Sequence, residues 1–192
     1  MNNSIFINNV FIRLLLIFFH SFSVLIAILI IGLRLEENLF GLISAYLILF
    51  QISFILTEWG YSIYSLHSYN EKGEDYLKKI FSNIIFSKLI FVFFNTSICI
   101  IFFYFNSHLM ISSKSVFFLI LSMVSAAFNP LWFLQSISQV KVILLPTIVG
   151  RIFFIIIVFL FVEEDSLELF FLGQLIAFLL PSFFGNLFII KK

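Results

Sequence analysis

Six long apolar stretches, separated by short polar joints, constrain what this chain can fold into. They cover residues 10–33, 39–67, 80–105, 112–139, 142–162 and 167–190. A helix needs about 20 mostly apolar residues to cross a bilayer. No stretch alternates apolar and polar residues as barrel strands do, and lipid cannot satisfy the backbone, so helix is the expected conformation. The sequence predicts an all-α polytopic membrane protein, with residues 1–192 forming one bundle of six transmembrane helices.

The composition agrees with this class of protein. Of the 192 residues, 62% are hydrophobic, 11% are charged and 30 are Phe, whereas soluble domains are about half apolar and about a quarter charged. These values exclude a soluble globular enzyme and a disordered chain, and the net charge of +1 gives no field for nucleic acid. Residues 1–9 lack a basic region, so we expect a retained first span rather than a cleaved signal. The single Cys99 forms no internal disulfide.

The basic residues predict the orientation of the chain. Lys and Arg near span ends favour the cytoplasmic side of a membrane. One predicted side carries only Arg34 and Lys114; the other carries Lys72, Lys78, Lys79, Lys141, Lys191 and Lys192, with Arg13 and Lys88 just inside it. Both termini are therefore expected in the cytoplasm, with the acidic joint at residues 162–166 outside.

The second span carries a polar stripe. Ser44, Gln51, Glu58, Ser62 and Ser65 follow one another at spacings of 7, 7, 4 and 3, which places them on one face of a continuous helix. Glu58 lies too deep to reach the interface, and buried charge in a membrane is expensive. It either lines a hydrated path or locks two helices together as an ion pair or protonated carboxyl.

The first span carries a second stripe, in which Arg13, His20, Ala27 and Arg34 recur every seven residues. Each arginine alone is long enough to reach the headgroups from its end of the span. His20 is either a neutral helix contact or a proton carrier. If spans one and two pack side by side, Arg13 and Glu58 are candidate partners.

Spans four and five add two further candidates. Asn129 precedes Pro130, which interrupts the fourth helix and frees a backbone carbonyl. The small polar residues of this span favour either a cavity or a close helix seam. Arg151 lies deep in span five with no acidic residue in its own span, so its partner comes from another helix, from substrate or from water.

No catalytic or cofactor motif accompanies these residues. The sequence contains no Gly-rich phosphate loop, no Cys/His cluster with metal spacing and no G-x-S-x-G elbow. We therefore expect no cofactor and no metal. The loops are too short for a catalytic domain and the polar residues lie inside the spans, which favours a transporter over an enzyme.

Two segments carry a family resemblance. Residues 33–70 contain Phe40-Gly41 after a predicted outer loop and the run Glu58-Trp59-Gly60, and residues 128–162 contain the run from Asn129 to Phe133 followed by Gln135. Arg151 lies where such proteins often have an arginine in span five. In this order and spacing the segments resemble the Wzx-type polysaccharide (O-antigen) flippases of the superfamily that includes the MATE exporters.

The resemblance implies a function and partners. That family moves undecaprenyl-pyrophosphate-linked oligosaccharide units across the bacterial inner membrane for O-antigen or capsule synthesis. Its members pair two six-helix bundles around a central cavity and work by alternating access, driven by an ion gradient. The implied cavity-lining residues are Arg13, His20, Arg34, Gln51, Glu58, Asn129 and Arg151. The implied partners are the lipid-linked oligosaccharide, membrane lipids, a second bundle and the polysaccharide polymerase machinery.

This chain departs from the family in its number of spans. Family members have about twelve, whereas this sequence has six and resembles the first half. We therefore expect a partial or truncated chain, or half-size subunits that pair. The alternative is a non-transporting remnant or scaffold subunit of a polysaccharide assembly complex.

Overall fold

Six helical segments have the length and apolar composition needed to cross a membrane. A computed structural model describes residues 3–105, 112–163 and 166–191, with side chains from residue 10 to 101 in the first range. The candidate spans in these residues are Val10–Arg34, Glu37–Lys72, Glu74–Ile101, Ser113–Ser136, Lys141–Phe161 and Glu168–Lys191. The predicted all-α, six-span architecture is confirmed. The predicted joint at residues 106–108, residues 164–165 of the outer joint and Lys192 lie outside the described residues.

Eight α-helices build these segments, because two spans are interrupted. In the described ranges they are α1 (Asn3–Arg34), α2 (Glu37–Glu58), α3 (Tyr61–Lys72), α4 (Glu74–Phe105), α5 (Ser113–Ala127), α6 (Leu131–Ser136), α7 (Lys141–Phe161) and α8 (Glu168–Lys191). The second span is α2 plus α3, and the fourth is α5 plus α6.

The second span breaks at Trp59 and Gly60. Gly60 has φ of 80°, in the left-handed region that a residue without Cβ adopts at no steric penalty. The predicted continuous polar face is therefore wrong. Ser44 and Gln51 lie on α2, before the break, and Ser65 lies on α3, after it.

The fourth span breaks at Asn129 and Pro130, as the sequence predicts. Pro130 cannot donate a backbone hydrogen bond, and the Asn129 side-chain oxygen accepts from Leu131 N at 3.1 Å to begin α6. Helix α8 supplies donors to the carbonyls near the end of α5. Ser182 Oγ donates to Ser125 O at 2.6 Å, and Asn186 Nδ2 donates to Phe128 O at 2.7 Å.

Packing between the helices is uneven. Helix α8 packs extensively on α7 and α5, and α1 packs on α7, but α1 and α2 barely touch. The predicted pairing of Arg13 with Glu58 is consequently wrong: Arg13 is exposed on α1, and Glu58 is bonded to Lys88 of α4. The weak contact between α1 and α2 leaves a cleft between them.

The buried apolar side chains form two clusters. One lies towards the start of α2 and includes Ala27, Ile31, Tyr46, Val92, Met123, Phe154 and Phe178. The other includes Ile12, Leu16, Leu77, Ile84, Trp132, Phe133, Leu134 and Ile143. His20, Lys88 and Arg151 each fall, along their own helices, between a residue of one cluster and a residue of the other. These three side chains therefore lie at a similar height along the helix bundle, between the two apolar clusters. We call this height the polar level.

Candidate functional site

Arg151 is the centre of the candidate site. It lies in the middle of α7 and is 3% exposed. Its Nη2 lies 2.5 Å from Nδ1 of His20 on α1. A guanidinium has only donors, so His20 Nδ1 accepts and the ring proton is on Nε2. Arg151 Nε is buried without a hydrogen-bond partner among the described residues.

Aromatic rings surround this pair. The Arg151 Cζ lies 4.6 Å from the centroid of the Phe178 ring on α8. Phe178 also meets the His20 ring at a centroid distance of 5.9 Å, and Phe54 stacks on His20 at 6.3 Å. An arginine over a desolvated ring gains about 2 kcal/mol. The Phe178 ring covers one face of the guanidinium, and the donors of the edge other than the one bonded to His20 are left for further partners.

The larger of two cavities beside Arg151 fills the cleft between α1 and α2. It has a volume of about 490 Å³, within the range of about 300–1,000 Å³ for ligand pockets. Its polar lining residues are His20, Ser21, Ser44, Gln51, Arg151 and Gln174. An otherwise apolar cavity therefore contains one buried cation and several neutral polar groups. We call it the cleft cavity.

The smaller cavity lies on the other side of the same pair. It has a volume of about 170 Å³, and its polar lining residues are His20, Asn129, Thr147 and Arg151. Asn129 and Leu131 bring the start of α6 to its wall. We call it the break cavity. His20, Arg151 and Phe178 line both cavities, so the three side chains form the partition between them.

The structure does not bring all the predicted site residues together. His20, Gln51, Asn129 and Arg151 line one or both cavities. Arg13 and Glu58 line neither. Arg34 lies near the far end of α1, where Nη1 donates to Phe159 O of α7 and Cζ is 4.9 Å from the Phe159 ring centroid. The predicted stripe of α1 is thus not one functional surface.

Glu58 has a structural partner. Lys88 Nζ lies 2.5 Å from Glu58 Oε1, and the exposed side-chain fractions are 0% for Lys88 and 24% for Glu58. The Lys88 ammonium does not extend outwards from the protein, because it is enclosed between α4 and α2. Of the alternatives for Glu58, the contact found is the ion pair between helices.

Three residues of this level were not among the predicted site residues. Lys88 is 0% exposed and Gln174 is 4% exposed. Phe178 has no distinguishing sequence signal among 30 Phe residues. A polar residue in the middle of an apolar span was the available signal for Lys88 and Gln174.

Among the described residues no group of three or more His, Cys, Asp or Glu side chains is placed to hold a metal ion. The fold and the polar level together define an all-α multi-pass membrane protein with a buried basic site. No protein-family model matches the chain, and neither the curated proteins nor the solved structures contain a significant match.

Proposed function

We propose that the protein takes part in moving undecaprenyl-pyrophosphate-linked oligosaccharide units across the bacterial inner membrane, with both termini in the cytoplasm. The observation that supports this most directly is Arg151, a buried cation at the wall of a cavity. It has no ion pair with a carboxylate in the described residues. An anionic ligand is the partner that such a cation lacks.

The chemistry of the side chain suits a phosphate ligand. A guanidinium stays charged in a membrane and binds phosphate oxygens through two parallel hydrogen bonds. The Phe178 ring occupies a face of the guanidinium rather than its donor edge, and Nε lacks a partner. Arg151 therefore offers its donors to an incoming pyrophosphate without having to break an ion pair.

The rest of the cleft cavity suits a sugar. Gln51, Ser44 and Gln174 offer neutral donors and acceptors, which bind hydroxyl groups without fixing a charge. In the proposed mechanism a second six-helix bundle faces the cleft between α1 and α2. Rocking of one bundle against the other then exposes the cavity to each leaflet in turn.

The test uses the gene in its own host. The chromosomal copy is replaced by a tagged wild-type copy, by Arg151→Gln or by Lys114→Gln, and surface polysaccharide and lipid-linked precursor are both measured. Lys114→Gln is the control, because it removes a positive charge from an exposed residue at the start of α5. We expect Arg151→Gln to lower surface polysaccharide about tenfold or more, because the variant loses hydrogen bonds from a charged group to the ligand. The lipid-linked precursor should accumulate.

Two outcomes contradict the proposal. If deletion of the gene leaves surface polysaccharide unchanged, the protein has no part in the pathway. If deletion abolishes it while Arg151→Gln, present at wild-type levels in the membrane, supports normal amounts, Arg151 does not bind the transported group and the observation that carries the proposal is lost.

A further inference from the structure

The short helices α3 and α6 are bounded by the unusual backbone positions of the described chain. Gly60 and Gly73, at the two ends of α3, have φ of 80° and 79°, and Ser138, just after α6, has φ of 59°. Within the described ranges these three have φ well inside the left-handed region, and Trp59, next to Gly60, has φ of 18°. Pro130 precedes α6. Each helix is thus separated from its neighbours in sequence by a backbone break at both ends.

The two helices are bonded to each other. Ser65 Oγ of α3 donates to the Trp132 carbonyl oxygen of α6 at 3.1 Å, and Ser136 Oγ lies 2.9 Å from Ser65 Oγ. Ser65 is 0% exposed and Ser136 is 3% exposed. In an apolar environment such hydrogen bonds are retained because water cannot replace them. Helices α3 and α6 therefore form one unit, which we call the α3–α6 unit.

The residues next to this unit are fixed to other helices. Glu58, two residues before Gly60, is bonded to Lys88 of α4. The carbonyls of Ser125 and Phe128, before Pro130, accept from Ser182 and Asn186 of α8. Any rotation of the unit consequently takes place at Gly60 and at residues 129–130, with the breaks at Gly73 and Ser138 allowing the other ends to follow.

Two buried polar atoms of α6 have no hydrogen-bond partner among the described residues. They are Nε1 of Trp132, which is 0% exposed, and Oε1 of Gln135. Buried polar atoms are nearly always paired, and leaving one unpaired is unfavourable. The contacts found between α6 and α4, such as Phe81 on Trp132 at a centroid distance of 5.4 Å, are apolar and not directional. The observed position thus leaves these two atoms without a protein partner.

We propose that the α3–α6 unit is a gate to the break cavity, moving as one body about Gly60 and Asn129–Pro130. Leu131, the first residue of α6, lines that cavity together with Asn129 at the hinge, and the other lining residues belong to α1, α2, α7 and α8. Displacement of the unit opens the wall of the break cavity next to α6, and water then reaches Arg151 through this opening. The inference concerns access to the cavity and holds whatever ligand Arg151 binds.

The test measures thiol labelling of the purified chain in detergent. Thr147→Cys places a thiol in the break cavity, and its rate of reaction with a negatively charged, water-soluble thiosulfonate is followed by peptide mass spectrometry. Gly60→Ala penalises the φ of 80° that the observed position requires, because left-handed backbone is strained for residues with a Cβ. We expect labelling at position 147 to become about tenfold faster.

Gly41→Ala is the matched control, because a Cβ there meets nothing within 4 Å. The native Cys99, 5% exposed in the first apolar cluster, reports general loosening. A second variant, Gln135→Met, removes the unpaired amide oxygen, favours the observed position and should slow labelling several-fold. A Ser65→Cys/Ser136→Cys disulfide should leave the effect of Gly60→Ala intact.

The proposal fails if Gly60→Ala and Gln135→Met both label position 147 at the rate of Gly41→Ala while Cys99 stays unlabelled. It also fails if the disulfide between α3 and α6 abolishes the acceleration, since the two helices then do not move together. If Gly60→Ala exposes Cys99 as well, the result for Gln135→Met alone decides: slower labelling supports the gate and an unchanged rate overturns it.

Discussion

Lys88 and Glu58 form an ion pair between α4 and α2, with Nζ and Oε1 2.5 Å apart. The two residues are 30 positions apart and belong to successive spans. Lys88 is completely enclosed, whereas Glu58 keeps 24% of its side-chain surface exposed. The pair therefore binds α4 to the end of α2, immediately before the break at Gly60.

The asymmetry of this pair predicts unequal effects of its two single substitutions. Glu58→Gln leaves a buried ammonium without its counter-charge and should lower the free energy of unfolding by about 3 kcal/mol, at the low end for buried pairs. Lys88→Met leaves a carboxylate that the protein does not fully enclose, with 24% of its side chain exposed, and should lower it by less, about 1 kcal/mol. Unfolding in mixed micelles with increasing dodecyl sulfate measures both. Equal losses for the two variants would contradict the difference in burial.

The hydrogen bond between His20 and Arg151 makes a second prediction. His20→Leu removes the acceptor of a buried guanidinium and should lower the free energy of unfolding by about 2 kcal/mol, as for hydrogen bonds to charged groups. His20→Asn places an amide oxygen near the position of Nδ1 and should recover at least half of the loss. The same micelle titration checks both variants. If Asn is no better than Leu, His20 acts through its shape rather than through its acceptor.

The close approach of α8 to the break in the fourth span makes a third prediction. A Cβ on Gly185 would lie 2.5 Å from Pro130 Cγ and 2.9 Å from Ile143 Cγ2. The proline ring cannot swing away as a flexible side chain does, so Gly185→Ala should be destabilising by about 1–3 kcal/mol. Gly41→Ala, in open space on α2, should be neutral or stabilising by up to about 1 kcal/mol. Thermal unfolding of the two variants side by side gives the comparison, and a neutral Gly185→Ala would show that the helices separate easily here.

The contact between α3 and α6 predicts an engineered disulfide. Ser65 Oγ and Ser136 Oγ are 2.9 Å apart, which is close enough for two cysteine sulfurs to bond with small side-chain adjustments. The double variant Ser65→Cys/Ser136→Cys should cross-link nearly completely under mild oxidation, as seen by mass spectrometry of the proteolysed chain. Ser97→Cys/Ser136→Cys is the control, because Ser97 bonds to Phe93 O within α4. Absence of the first cross-link would contradict the observed packing.

The spans could be predicted from the sequence because their signal is local. An apolar run longer than about 20 residues has few alternatives to a membrane helix, and the predicted range 142–162 differs by one residue at each end from the span Lys141–Phe161. The break at Pro130 could also be predicted from the sequence, because a residue without a backbone N–H interrupts a helix. The break at Gly60 was missed, because a lone glycine inside an apolar run is compatible with a continuous helix.

The partners of the charged residues could not be predicted, because they depend on which helices touch. Arg13 and Glu58 suggest a pair if α1 packs on α2, but α1 packs on α7 instead and brings His20 to Arg151. Lys88 is long enough to extend towards an interface, and only the position of α2 shows that it ends at Glu58. The sequence shows that these residues lie within apolar spans, whereas their neighbours are a property of the tertiary packing.

The distance along the chain between His20 and Arg151 has a consequence for biosynthesis. The two residues are 131 positions apart, and the chain is made from its N-terminus. Five further helices, α2 to α6, are synthesised between α1 and α7. Helix α1 must therefore reside in lipid for that time before Arg151, which contacts the His20 imidazole, leaves the ribosome. Insertion of an unaccompanied arginine costs about 2.5–3.5 kcal/mol at mid-membrane. Helix α7 thus enters the bilayer against a neighbour already in place, and truncating α1 should impair the retention of α7 in the membrane.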